Sequence, residues 1–160
     1  MTYARTILVV DDCPVGRLLV ARALERGGFR AEGCRWGEIP WRARGRWDAV
    51  VAEPPGPLPV TWASVRAMMG PLRGLPAMAF TASAMRHDHL LARAAGFCAY
   101  RPRPSGIRGL DAAVAAMLSG VEAEDRAARR AGVGGHRPRH LDLEVLGVEG
   151  LAQDHLPGFV

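Results

Sequence analysis

The feature that most constrains the fold of this chain is an alternation of short apolar runs with helical patterns, each run closing on a turn or a charge. Ile7-Leu8-Val9-Val10 is an unbroken apolar run that ends in Asp11 and Asp12, and Ala49-Val50-Val51-Ala52 is another that ends in Glu53. Runs without polar alternation belong to strands covered on both faces, as in parallel sheets. Residues 29–34, 76–80 and 97–100 supply three further strand signals. Between them lie helical patterns at residues 14–26, 62–72, 86–95 and 107–118. In the first, Val15, Leu18, Leu19, Ala23 and Leu24 recur at helical spacing; in the last, Ile107, Leu110, Val114, Met117 and Leu118 share one face. Pro14 suits a first helical turn, and Gly27-Gly28 stops the helix. Gly70-Pro71 is expected to disturb the end of the 62–72 helix. Gly37, Pro40 and Gly45 interrupt residues 35–47, which predict a short or irregular helix. The pattern predicts an α/β fold: a doubly wound five-stranded parallel sheet with five flanking helices in three layers.

A chain of 160 residues holds one domain with an appendage. The domain is expected at residues 1–120, with 121–160 a helical extension and flexible tail. Residues 121–130 continue the last helix as a charged overhang, and 132–139 are rich in Gly, Pro and Arg. Beyond them, Leu141, Leu143, Val145, Leu146 and Leu151 make a weak amphipathic stretch, too short for a core of its own. No run approaches the roughly 18 apolar residues of a membrane span, and Arg5 is the only basic residue before the first strand, so no signal peptide is read and a cytoplasmic protein is expected. Cys13, Cys34 and Cys98 form no CxxC pair and read as reduced thiols. All 21 basic residues are arginine, and 16 of them fall in residues 1–120 beside nine acids. That basic body could attract nucleic acid. No helix-turn-helix, Cys/His finger or aromatic-basic strand accompanies it, which argues against DNA binding. Trp36, Trp41 and Trp47 are expected to cap the core rather than stack on bases.

Ligands of open α/β sheets bind outside the carboxyl ends of the strands. Strand order puts Asp11 and Asp12 after the first strand, Glu53 after the third, Thr81 after the fourth and Arg103 just past the fifth. Each residue has a plainer reading. The aspartates could be helix caps, Thr81 a turn hydroxyl and Tyr100 edge packing, while Arg103 could reflect the arginine-rich composition. His87, His89, His136, His140 and His155 show no ligand spacing.

Together with Pro57 and Arg103-Pro104, these positions resemble the response-regulator receiver (CheY-like) domain of two-component signalling, with its flavodoxin-like fold, over residues 4–119. The resemblance implies that Asp11 and Asp12 bind Mg2+, with Glu53 as third carboxylate. It makes Thr81 the switch hydroxyl and Tyr100 the switch aromatic. Two positions depart from the family pattern: Glu53 stands where the phosphoacceptor aspartate is expected, and Arg103 where a lysine is expected. The added methylene carries the carboxylate toward where an aspartyl phosphoryl group would sit. Arginine is a planar fork, able to make a bidentate contact that lysine cannot. The paired departures predict a Glu53–Arg103 clamp, with the two side chains no more than one water apart. They imply a pseudo-receiver, not an enzyme, that acts in phosphorelay-type signalling through protein–protein contact without aspartyl phosphorylation. Its expected partners are a histidine kinase, phosphotransfer or output protein meeting residues 86–118, where Arg86, Arg93, Arg101 and Arg108 lie; a homodimer is a further expected possibility. The alternative is a working receiver that binds Mg2+ and is phosphorylated by a histidine kinase at Glu53 or Asp12. A phosphohydrolase with Asp11 as nucleophile lacks an Asp-X-Asp run, and Pro14-Val15-Gly16 offers few donors to a flavin phosphate.

Overall fold

The computed structural model describes residues 4–39, 45–55, 62–82, 86–103 and 107–130. The strands are β1 (Thr6–Val10), β2 (Arg30–Cys34), β3 (Ala49–Ala52), β4 (Ala77–Thr81) and β5 (Ala99–Pro102). They form one sheet in the order β2-β1-β3-β4-β5, with every pairing parallel. Strand order reverses at β1, so the crevice between the carboxyl ends of β1 and β3 is the topological switch point. Val10 pairs with Ala52, which brings the next residues, Asp11 and Glu53, side by side.

The helices are α1 (Pro14–Arg26), α2 (Trp62–Met68), α3 (Arg86–Ala95) and α4 (Leu110–Arg130). Strand side chains alternate between the two faces. Ile7, Val9, Val51, Met78, Phe80 and Ala99 pack with α1 and α4 in one core cluster. Leu8, Val10, Val50, Ala52, Ala79 and Tyr100 pack with Val65 and Met69, and with Ala92 and Ala95 of α3, in the other. The predicted three-layer α/β architecture is therefore present. Where an irregular helix is expected over 35–47, the described residues form one 3-10 turn, Trp36–Glu38. Trp36, Ile39 and Trp47 cap the second face there. Trp41 lies outside the described residues, as do Pro57, Pro104 and residues 131–160. Pro71 breaks α2 from a 3-10 turn, Gly70–Leu72, as expected.

One helical face differs from the pattern read in the sequence. Of the five α1 residues that recur at helical spacing, only Ala23 and Leu24 are buried; Val15, Leu18 and Leu19 are 63%, 56% and 56% exposed. The buried stripe is Gly16, Val20, Ala23 and Leu24. Small residues set this choice, because Gly16 and Gly27 let the helix backbone approach Asp11 and Asp111 too closely for any Cβ to intervene. The chain then leaves the helix through Gly28 at φ 86°, a left-handed turn that favours glycine.

α4 runs unbroken to Arg130, and Val121 still packs into the first cluster. The overhang is fastened to the sheet by an ion pair between Glu122 and Arg5. No helix among the described residues is long and apolar enough to cross a membrane.

Candidate functional site

Four strand-end side chains, those of Asp11, Glu53, Thr81 and Arg103, meet at the carboxyl edge of the sheet. Asp11 follows β1 and is 2% exposed. Its Oδ1 accepts the Cys13 N–H at 2.8 Å, and its Oδ2 accepts from Arg103 Nη2 at 2.9 Å. The Arg17 guanidinium, one turn into α1, donates to the Asp11 carbonyl. A buried carboxylate is tolerated when it is paired and hydrogen-bonded on both oxygens, as here.

Asp12 points elsewhere. It is exposed, and its Oδ1 accepts the Trp36 backbone N–H at 3.0 Å. The neighbouring acids thus divide their work: Asp11 faces the crevice and Asp12 ties the 3-10 turn to the end of β1.

Glu53 is held at both ends. Its N–H donates to the Val10 carbonyl at 2.9 Å, and its carbonyl accepts the Trp36 indole N–H at 2.7 Å. The carboxylate accepts the Ala82 N–H at 3.2 Å and the Thr81 hydroxyl. Its other oxygen, Oε2, lies 3.1 Å from Arg103 Nε. That contact is an ion pair without an aligned hydrogen bond. Burial pushes the Glu53 carboxyl above its ordinary range of 4.5, opposed by Arg103, the Ala82 N–H and Thr81, and aided by Asp11.

Arg103 bridges the two acids. Its N–H donates to the Thr81 carbonyl at 2.6 Å, so the last rung between β4 and β5 fixes where its side chain begins. The guanidinium stacks over Phe80 with its carbon 4.7 Å from the ring centroid, a cation–π contact in a partly desolvated place. The expected closeness of Glu53 and Arg103 is present. The bidentate grip on one carboxylate is not: the fork is shared between Asp11 and Glu53. Thr81 is 6% exposed at the end of β4, and Tyr100 is 7% exposed, 5.2 Å from the His89 ring in a tilted contact.

Divalent magnesium needs oxygen ligands at about 2.1 Å in near-octahedral geometry. Here both Asp11 oxygens have donors, Asp12 is turned to Trp36, and a guanidinium lies between Asp11 and Glu53. As arranged, these residues do not fit a metal without displacing Arg103. Among the described residues no three His, Cys, Asp or Glu side chains converge as a metal-holding group.

Sequence reasoning missed four participants. Gly16 leaves room for Arg103, since a Cβ there would come within 2.4 Å of Asp11 Oδ2 and 2.9 Å of Arg103 Nη1. Phe80 is the floor under the guanidinium, Arg17 braces Asp11, and Trp36 anchors Asp12 and Glu53. Only Gly16 left a local signal, as a glycine in the first turn of a helix, where it costs stability.

No protein-family model and no curated protein matches the sequence. Solved structures do. A CheY-like receiver domain protein from Methanospirillum hungatei JF-1 is 20% identical with TM-score 0.63, over 76% of this chain and 99% of that one. A two-component response regulator of the LuxR family from Aurantimonas sp. SI85-9A1 is 27% identical with TM-score 0.61, over 81% of this chain and 99% of that one. The chemotaxis response regulator CheY4 of Vibrio cholerae is 20% identical with TM-score 0.53, over 64% of this chain and 88% of that one. The fold is that of response-regulator receiver domains.

Proposed function

We propose that this chain is a pseudo-receiver: a module of two-component or phosphorelay signalling that works through protein contact, without a phosphorylation cycle of its own. The observation that carries the reading is Arg103 spread across Asp11 and Glu53. In a working site a divalent cation and a lysine would neutralise charge during transfer to an aspartate. Here one internal cation, the Arg103 guanidinium, pairs with both acids at once. Meanwhile the Glu53 carboxylate takes the hydrogen bonds of Thr81 and Ala82, the hydroxyl and N–H that would otherwise meet a phosphoryl group. Glu53 therefore stands in for the modified acceptor, and the domain rests in one signalling state.

Output then depends on surface recognition. The face proposed for partners, a kinase, phosphotransfer or output protein, is α3, β5 and the start of α4. Leu90 is 60% exposed there, and Arg101 is braced by its bond to the Arg108 carbonyl at 2.8 Å. Rim arginines of this kind set association rate and partner choice more than raw affinity.

The test is intact mass after incubation with a small phosphodonor and Mg2+. The native chain is expected to gain no phosphoryl group, whereas Glu53→Asp with Arg103→Lys is expected to gain one. A phosphoryl group mapped to Glu53 in the native chain would overturn the reading.

A further inference from the structure

Arg103 occupies the place from which a single cation reaches both crevice acids. The Nε–Nη2 edge of its fork serves two carboxylates at once, with Nη2 2.9 Å from Asp11 Oδ2 and Nε 3.1 Å from Glu53 Oε2. Bidentate arginine pairs usually place both nitrogens on one carboxylate. Dividing them between the ends of β1 and β3 is the arrangement of a bridging ion. The Nε contact has no aligned hydrogen bond, so its attraction is of the undirected kind that an ion exerts.

The seat fits the guanidinium. Phe80 lies beneath it, with the guanidinium carbon 4.7 Å from the ring centroid. Gly16 leaves the space beside Nη1, where a Cβ would come within 2.9 Å. Charge is matched as well: among the described residues of the crevice, Asp11 and Glu53 meet Arg103, and Arg17 donates to the Asp11 carbonyl. The next acid is committed elsewhere. Asp12 accepts the Trp36 N–H at 3.0 Å, and the indole of that tryptophan donates to the Glu53 carbonyl. A divalent magnesium ion takes carboxylate oxygens at about 2.1 Å. Here it would have to displace a guanidinium already paired with both acids, and it would meet like charge on approach.

We propose that the Arg103 guanidinium is the resident cation of this edge, doing with a side chain the structural work of a divalent ion, and that the chain needs no such ion. The metal site is latent rather than destroyed. With the guanidinium removed, Asp11 and Glu53 are left as an uncompensated pair of carboxylates, and a divalent ion that favours oxygen ligands takes its place. The inference stands apart from the proposed signalling role, because it is read with no phosphodonor present.

The probe is Mn2+, whose free aqua ion is counted by electron paramagnetic resonance, with urea unfolding as the second readout. The native full chain should bind no Mn2+ at about 1 mM, and it should unfold at the same urea concentration with the metal or with a chelator. Arg103→Ala and Arg103→Gln, the second keeping a stem over Phe80, should each bind one Mn2+ per chain. At about ten times its Kd, the ion should raise the folding constant of either variant about eleven-fold. Asp11→Asn added to Arg103→Ala should abolish that gain. One Mn2+ per native chain would overturn the proposal. So would the failure of both variants to bind the ion, whether they are folded or not.

Discussion

Gly16 occupies a position that helix physics disfavours, since glycine costs about 1 kcal/mol relative to alanine inside a helix. The space it leaves is filled by the Asp11–Arg103 contact. Gly16→Ala therefore sets two effects against each other: helix propensity gains about 1 kcal/mol, and overpacking costs about 1–3 kcal/mol. A net loss of about 1 kcal/mol is expected in urea unfolding, and a gain in stability would show that the contact is loose. Glu53 makes a second prediction at this scale. Its folded carboxyl binds a proton more readily than the usual 4.5 of the unfolded side chain, chiefly because of burial. Between those two values the folded state holds more protons, so stability falls as pH rises through the window and stays lower above it. Glu53→Gln should remove that fall in stability above 4.5, measured as the difference from the native chain. An unchanged curve would mean that the carboxylate pays no desolvation penalty.

At the scale of elements, α1 shows how local pattern and tertiary packing part company. Helical spacing identified the helix and its ends, from Pro14 to Gly27. It did not identify which way the helix faces, because Val15, Leu18 and Leu19 make as regular a stripe as Gly16, Val20 and Leu24. The decision came from backbone approach, which a pattern of apolar side chains does not encode. Leu24→Ala should cost about 2–5 kcal/mol, as for other fully buried leucines. Leu18→Ala and Leu19→Ala should each cost about 1 kcal/mol or less, as exposed substitutions do. Equal losses at Leu18 and Leu24 in the same denaturant series would restore the face read from spacing. The turn Trp36–Glu38 gives a similar lesson. Gly37 and Pro40 announced an irregular connection, but nothing in the sequence announced that its Trp36 would hold Asp12 and Glu53 in place.

For the whole molecule, the fold was legible because doubly buried strands and amphipathic helices differ in period, and their alternation admits few topologies. The site was legible because strand order alone places Asp11, Glu53, Thr81 and Arg103 at one edge. What stayed hidden were contacts across the sequence: the floor of Phe80, the brace of Arg17, and the sharing of one guanidinium between two acids. Each depends on the angle at which a side chain leaves its strand, and that angle is settled only when the layers close.

Arg103 also has a mechanical consequence. From the end of β5 it reaches the ends of β1 through Asp11 and β3 through Glu53, and its own N–H holds the end of β4. One residue thus rivets four parallel strands across the direction in which they would peel apart. Across these four strands the carboxyl edge resists fraying one strand at a time, while β2 lies outside the rivet.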